Sequence, residues 1–374
     1  MSCGEPSGDL YAGALAAEIR RRDPAADIFG LGGERLRAAG GRLVGDYRGI
    51  SVTGLVEVLR ILPRSWAMLR RLVAAARACR PDVFVAIDFP DFNFRLAAAL
   101  KALGVPVVYY ISPQLWAWRS GRMQTMKRLA DLVLVIFPFE EALYRRAGVD
   151  VRFVGHPLVD LAAATGPREA FLRAHGLDPS APTVALLPGS RPNEVSRILP
   201  GLAAAMPLIA ARVPRVQFVV ACAPGLPPDA FAGVDGAILV QGRADDVLAA
   251  SDVVVTASGT ATVQAALHQR PMVVVYRLSN LTYWIGKPFV KVDTYAMANL
   301  VAGARVVPEL IQRAFTPARV ADETVAFLTD SARYGAARAA LAGVRARLGT
   351  PGASGRAADA ILEVAARGLH HTRV

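Results

Sequence analysis

The chain repeats one pattern: a short run of apolar residues, cut off by glycine, proline or a polar turn, then a stretch with helical spacing. Such runs lie at 83–87, 105–111 and 132–137, and again at 183–187, 216–221, 237–241, 253–257 and 272–275. Apolar runs without alternation suit strands buried on both faces, and their alternation with helices specifies parallel sheets with helices on either side. A length of 374 residues accommodates two such doubly wound domains. The polar, Gly- and Pro-richer stretch at 158–182 marks the expected boundary. The expectation is therefore a first domain at 1–165, a second at 166–345, and a final helical segment at 346–374 crossing back onto the first. The N-terminus departs from this pattern. A short strand at 28–31 and a helix at 34–39 are visible early, but almost nothing precedes the first turn, Gly4 to Gly8. A doubly wound domain begins with a central strand, so that strand is expected to be missing, with the N-terminus shortened by a misplaced start.

Composition narrows the function classes. Apolar residues make up 53% of the chain, yet Arg, Asp, Pro or Gly interrupts every candidate membrane span, and no secretory signal opens the chain. The reading is a cytoplasmic protein, with contact to a membrane surface left open. The net charge is +12, and of the 43 basic residues all but Lys101, Lys127, Lys287 and Lys291 are arginine. Those arginines lack aromatic interleaving or a nucleic-acid motif, so attraction to phosphate groups or anionic lipid is expected ahead of nucleic-acid binding. Cys3, Cys79 and Cys222 are far apart, and the five histidines form no ligand pattern. Neither a metal nor a cofactor is expected.

Candidate chemistry sits where the apolar runs end, because an open parallel sheet binds ligands at the carboxyl ends of its strands. After the run at 183–187, Pro188 and Gly189 deliver Ser190 and Arg191, placed to meet an anion. After 253–257, the turn Ser258, Gly259, Thr260 and Ala261 opens a helix whose first amides and dipole suit a diphosphate, although a plain helix cap has the same form. Two such turns in one domain favour a nucleotide diphosphate. After 83–87 comes Asp88, a candidate general base in an apolar setting, while Asp91 reads as a helix cap. An aspartate in such a turn is also common for structural reasons. Ser7 reads as the cap of the first helix. Trp116 and Trp118 read either as packing or as a wall for acyl chains or a sugar face, and His156 reads as a hinge or supporting residue as readily as a catalytic one. The apolar segment at 50–62, with Leu55, Val56, Val58 and Leu59 beside arginines, fits a core helix or a membrane-contact face equally.

Taken together, Gly4-Glu-Pro-Ser-Gly-Asp9, Asp88-Phe-Pro-Asp-Phe-Asn93, Ser112-Pro-Gln-Leu-Trp-Ala-Trp-Arg119, Leu187-Pro-Gly-Ser-Arg191, Ala257-Ser-Gly-Thr-Ala-Thr262, Pro271-Met-Val-Val274 and Asn299-Leu-Val-Ala-Gly303 resemble, in order and spacing, the lipid A disaccharide synthase family. The resemblance covers nearly the whole chain. It implies two Rossmann-like domains facing a central cleft, the GT-B arrangement, and a metal-independent, inverting glycosyltransferase peripheral to the inner membrane. The implied substrates are UDP-2,3-diacylglucosamine and 2,3-diacylglucosamine 1-phosphate (lipid X), and the products are the β-1,6-linked disaccharide 1-phosphate and UDP. It places the catalytic base on Asp88, with Glu5 and Ser7 beside it, and the nucleotide on Ser190, Arg191, the turn Ser258 to Ala261, Gln264 and Asn299. It also implies membrane contact around Leu55 to Leu59, and a homodimer in which C-terminal segments can be exchanged. Related nucleotide-sugar transferases carry a glutamate where this chain has Gln264, and an amide oxygen accepts hydrogen bonds from ribose less strongly than a carboxylate. Competing readings are a UDP-N-acetylglucosamine 2-epimerase or peptidoglycan glycosyltransferase on the same fold, and a catalytically dead lipid-binding protein.

Overall fold

A computed structural model describes residues 1–49, 55–115, 121–278 and 294–371. The chain divides into two compact units, Met1–Pro157 with Gly349–Val374, and Leu158–Leu348.

In the first unit, β1 (Ser2–Cys3), β2 (Phe29–Gly32), β3 (Arg42–Asp46), β4 (Phe84–Ile87), β5 (Val107–Tyr110), β6 (Leu132–Val135) and β7 (Val151–Phe153) form one parallel sheet, ordered β3-β2-β1-β4-β5-β6-β7. Helices α1 (Pro6–Arg22), α2 (Glu34–Ala38), α3 (Leu55–Cys79), α4 (Pro90–Lys101), α5 (Arg122–Leu129) and α6 (Pro138–Arg146) connect the strands. β4, β5 and β6 are buried throughout, as strands covered on both faces must be.

The strand expected to be missing is in place. β1 is only two residues long, yet it occupies the centre of the sheet, with Ser2 opposite Leu31 on one side and Ala86 on the other, and Cys3 opposite Ile87. Met1 extends the pairing: its carbonyl accepts from Leu31 N–H at 3.0 Å and its amine donates to Phe29 O at 2.8 Å. Two residues suffice because neighbours on both sides supply partners. The approach is close enough that a Cβ on Gly30, whose φ is +150°, would lie 1.8 Å from Met1 O.

A buried amide fastens β1 to β4. Asn93 Nδ2 donates to Ser2 O at 3.1 Å and to Asp88 O at 2.8 Å, while Ser2 Oγ donates to Asn93 Oδ1 at 2.6 Å. A carboxylate does similar work for α2. Asp9, 3% exposed, accepts from the backbone N–H groups of Gly33 (2.7 Å), Arg35 (2.9 Å) and Leu36 (3.2 Å), so α1 caps its neighbour. Ser7 does not cap α1. Pro6 stands at the first helical position and Glu5 at the cap, which leaves Ser7 inside the first turn. The final helix, Ala353–His371, packs on α1 of the same chain, where Arg22 Nη2 meets Asp359 Oδ2 at 3.1 Å.

α3 carries Pro63 within it, and Trp66 on it is half exposed, with the Arg95 guanidinium 5.7 Å from its ring centre. The side chains of Leu55, Val56, Val58 and Leu59, expected to touch a membrane, lie outside the described residues, as do Trp116 and Trp118. Among the described residues no helix is long and apolar enough to cross a membrane.

The second unit contains α7 (Leu158–Leu161), α8 (Arg168–Ala174), β8 (Thr183–Leu187), α9 (Pro192–Ala210), β9 (Gln217–Cys222), β10 (Ala237–Gln241), α10 (Ala244–Ala250), β11 (Val253–Ala257), α11 (Thr260–Leu267), β12 (Met272–Tyr276), α12 (Met297–Ala302), β13 (Glu309–Ile311), α13 (Pro317–Thr329) and α14 (Ser331–Arg347). Its parallel sheet runs β10-β9-β8-β11-β12-β13. The residues at 158–165 are tied to this unit, since Thr165 donates its N–H (2.6 Å) and its hydroxyl (2.8 Å) to the buried Asp246. In each sheet the strand order reverses once, between β1 and β4 and between β8 and β11. At such a reversal the helices leave in opposite directions and open a crevice beyond the strand ends.

His156 lies 2% exposed at the end of the first unit's main segment, its ring edge-on to Tyr11 and Phe137. Burial lowers its pKa from 6.5 to about 3, so it packs as a neutral ring. The unfolded chain therefore binds a proton between about pH 6.5 and about pH 3 that the folded chain does not. Stability should be fully present above pH 6.5 and fall on acidification, with a slope of up to about 1.4 kcal/mol per pH unit. Urea unfolding between pH 7 and pH 4.5 should show this slope, and His156→Leu should flatten it. Asn93→Leu keeps the γ-branching but removes the donor to Ser2 O and the acceptor for Ser2 Oγ, and the same unfolding measurement at pH 7.5 should find it less stable by about 1–3 kcal/mol.

Candidate active site

In the first unit the two expected motifs leave adjacent strands side by side at the reversal. Cys3 pairs with Ile87, so Gly4 and Asp88 are the next residues off their strands. The two turns touch: a Cβ on Gly4 would come 2.2 Å from the Phe89 ring. Glu5 and Ser7, both partly exposed, follow directly on α1. Asp88 and Phe89 have φ of +45° and +51°, a left-handed pair that non-glycine residues adopt only when the surroundings enforce it. The enforcement is visible, because the Asp88 carbonyl accepts from both Asn93 Nδ2 (2.8 Å) and Tyr109 Oη (2.7 Å). Asp88 is thus held by its backbone, with its side chain only partly buried at the mouth of the reversal. Asp91, expected to cap α4, instead pairs with Arg122, since Pro90 starts the helix and Phe89 takes the cap position.

In the second unit, Leu187 pairs with Thr256, so the turns at Pro188 to Arg191 and Ser258 to Thr260 emerge from neighbouring strands, roughly 4.8 Å apart. Gly189 has φ of +130°, and a Cβ there would lie 2.6 Å from Glu194 Cβ. Glu194 folds back over the turn and accepts from Ser190 N–H and from Arg191 Nη1, both at 3.1 Å. Arg191 is therefore pre-aimed, with about a third of its side chain exposed at the mouth of the crevice. Its charge is partly balanced by Glu194. The Tyr276 phenol at the end of β12 responds to both and to Arg197: burial is the main cause of its raised pKa, followed by Glu194, with the arginines opposing. Gly259 and Thr260 at the start of α11 are exposed, and among the described residues nothing lies within 4 Å of a Cβ built on Gly259. Ser258 Oγ steadies the turn by donating to Tyr295 O at 2.9 Å. Gln264, one turn further along α11, donates Nε2 to Asp245.

Asn299, expected to bind the nucleotide, is spent on the protein itself. It is 1% exposed, and its amide donates to Val307 O (2.9 Å) and Glu309 Oε1 (2.8 Å) while accepting from Val306 and Val307 N–H. Every hydrogen-bonding capacity of that amide is used inside the protein, which makes it a structural clamp. Glu309 also takes the N–H groups of Tyr295 and Ala296 at 2.9 Å, holding the start of α12. Asn93, Tyr109, Glu194, Asp245 and Glu309 are positioning residues that motif reading passed over. All act on groups distant in sequence or across a turn, which a local pattern does not show.

A family model for lipid-A-disaccharide synthetase matches residues 1–348. The lipid-A-disaccharide synthase of Myxococcus xanthus (strain DK1622) is 48% identical over 366 residues, covering 96% of each chain. That of Anaeromyxobacter dehalogenans (strain 2CP-1) is 46% identical over 367 residues, again with 96% of each covered. Among solved structures, the UDP-GlcNAc 2-epimerase of Neisseria meningitidis bound to UDP-GlcNAc superposes with a TM-score of 0.67 at 13% identity, over 96% of this chain and 97% of that one. The calicheamicin glycosyltransferase CalG4 superposes with 0.59 at 18% identity, over 98% and 96%. These two likenesses establish the fold, two parallel-sheet α/β domains of the kind found in GT-B enzymes. With both reversals built from the motifs of one glycosyltransferase family, and relatives near half identity along almost its full length, the chain belongs to the lipid-A-disaccharide synthase family.

Proposed function

We propose that the enzyme transfers a 2,3-diacylglucosaminyl group from UDP to the 6-hydroxyl of 2,3-diacylglucosamine 1-phosphate. The observation that carries this reading is the family match over residues 1–348. The geometry of each unit supports a division of labour. In the first, Asp88 takes the proton from the acceptor hydroxyl as its oxygen bonds to the anomeric carbon, with Glu5 and Ser7 lining the same turn pair. In the second, Arg191, the Ser190 turn and the amides of Gly259, Thr260 and Ala261 hold the diphosphate as the bond between the anomeric carbon and the UDP oxygen breaks, the Ser258 N–H being taken by Val275 O. A single displacement inverts the anomeric centre and needs no covalent intermediate. The strained backbone at Asp88 supports its role, since a left-handed aspartate followed by a left-handed phenylalanine is kept where a side chain must point one way. An epimerase of the same fold shares the nucleotide but has no use for an acceptor hydroxyl.

Mass-spectrometric detection of disaccharide 1-phosphate, from purified protein with both acylated substrates in detergent micelles, tests the reaction. Asp88→Asn should lower kcat by two orders of magnitude or more, in the range for loss of a general base, with UDP affinity within a factor of two. Arg191→Ala should weaken UDP binding about tenfold, equivalent to about 1.4 kcal/mol. Turnover unchanged in the first variant, or UDP affinity unchanged in the second, would remove the corresponding assignment.

We further propose that the first unit docks on the anionic inner-membrane surface through α3, where Arg64, Arg70 and the half-exposed Trp66 share the exposed part of the helix. The protein should cosediment with vesicles containing anionic lipid and much less with neutral ones. Arg64→Glu with Arg70→Glu should abolish that binding in a folded protein, and equal binding to both kinds of vesicle would exclude the docking.

A further inference from the structure

The helix that opens at the second reversal carries a row of polar residues. Thr260, Gln264 and His268 are spaced by four, so they share one face of α11, starting at its open N-terminus. Gln264 and His268 both turn to one carboxylate, Asp245 in the first turn of α10. Gln264 Nε2 donates to Asp245 Oδ1 and Oδ2 at 3.2 and 3.1 Å, and His268 Nε2 lies 3.0 Å from Oδ1. The side chains of Asp245 and His268 are 24% and 12% exposed, so the cluster is largely shielded from water.

A carboxylate accepts hydrogen bonds and has none to give. Asp245 therefore selects one of the two orientations of the Gln264 amide, with the NH2 toward α10 and Oε1 directed away. Four residues of helix span about 6 Å, roughly the reach from a diphosphate at the helix start to the ribose of the same nucleotide. We propose that Asp245 is a positioning residue for nucleotide binding, which locks Gln264 so that Oε1 accepts from the ribose hydroxyls, with His268 steadying the carboxylate from the next turn. The proposal rests on the reading that this reversal holds UDP. It has an unusual consequence. A glutamate at 264 would be the stronger acceptor in isolation, but here it would set two carboxylates about 3 Å apart, so the glutamine and Asp245 form a matched pair.

Four proteins test this by calorimetric titration with UDP and with 2′,3′-dideoxy-UDP: wild type, Asp245→Asn, Gln264→Glu and the double variant. An asparagine at 245 can donate to Gln264 Oε1 and turn the acceptor inward. Asp245→Asn is thus expected to weaken UDP about tenfold while barely changing affinity for the dideoxy nucleotide, and to raise KM for the nucleotide sugar with kcat unchanged. Gln264→Glu alone should weaken UDP at least tenfold, whereas the double variant should return to within about threefold of wild type, because the substituted amide at 245 then donates to the new carboxylate. Loss of UDP and dideoxy-UDP affinity in equal measure would mark Asp245 as merely structural, and tighter UDP binding by Gln264→Glu alone would also overturn the proposal. If wild type binds UDP and Arg191→Ala weakens it while Asp245→Asn does not, only this inference fails. If wild type binds no UDP, the nucleotide reading fails and takes this inference with it.

Discussion

Both candidate sites in this chain depend on one constraint of parallel sheets, that the strand order reverses somewhere and the helices part at the reversal. β1 against β4, and β8 against β11, are those places. Each puts two turns from distant parts of the sequence on neighbouring strands, so the candidate site of each unit is assembled by hydrogen-bonded ladders rather than by loop contacts. The precision comes from rigid neighbours. β1 is held in register from both sides although it has two residues of its own, and Asn93 ties it to the strand that presents Asp88.

In a chain of net charge +12, buried or half-buried acidic groups do much of the organising. Asp9 caps α2 across a helix boundary, Glu194 folds the Ser190 turn and aims Arg191, Glu309 holds the start of α12, and Asp245 orients Gln264. Each accepts two or more hydrogen bonds, which offset the cost of desolvating a carboxylate. The surplus of arginine lies mostly outside these networks. A guanidinium has five N–H donors, and Arg191, paired with Glu194, still exposes about a third of its side chain.

The parts of the fold that were legible are those in which a residue's environment follows from its neighbours in sequence. Apolar runs such as Val253–Ala257 become strands buried throughout, and glycine at Gly189 and Gly259 marks turns with positive φ. β1 was illegible because two residues carry no period, and their strand character comes from β2 and β4. Ser7 has the chemistry of a cap, but Pro6 starts the helix before it. Asp91 has it as well, and Arg122 claims it. Asn299 belongs to a motif, yet its amide is consumed by Val306, Val307 and Glu309, partners that no local pattern announces.

The class of architecture, the turns at which ligands could be met, and the family to which the chain belongs are all readable from the residues alone. These follow from hydrophobic periodicity and from short motifs, which are local properties. Which turns stand together emerges only in the folded chain, as do the left-handed Asp88 held by Asn93 and Tyr109, the pairing of Arg191 with Glu194, and the contact of Gln264 with a carboxylate nineteen residues away. The reason is physical: strand order and hydrogen-bond direction are set by long-range pairing, and a side chain's role depends on which donors and acceptors its neighbours leave open.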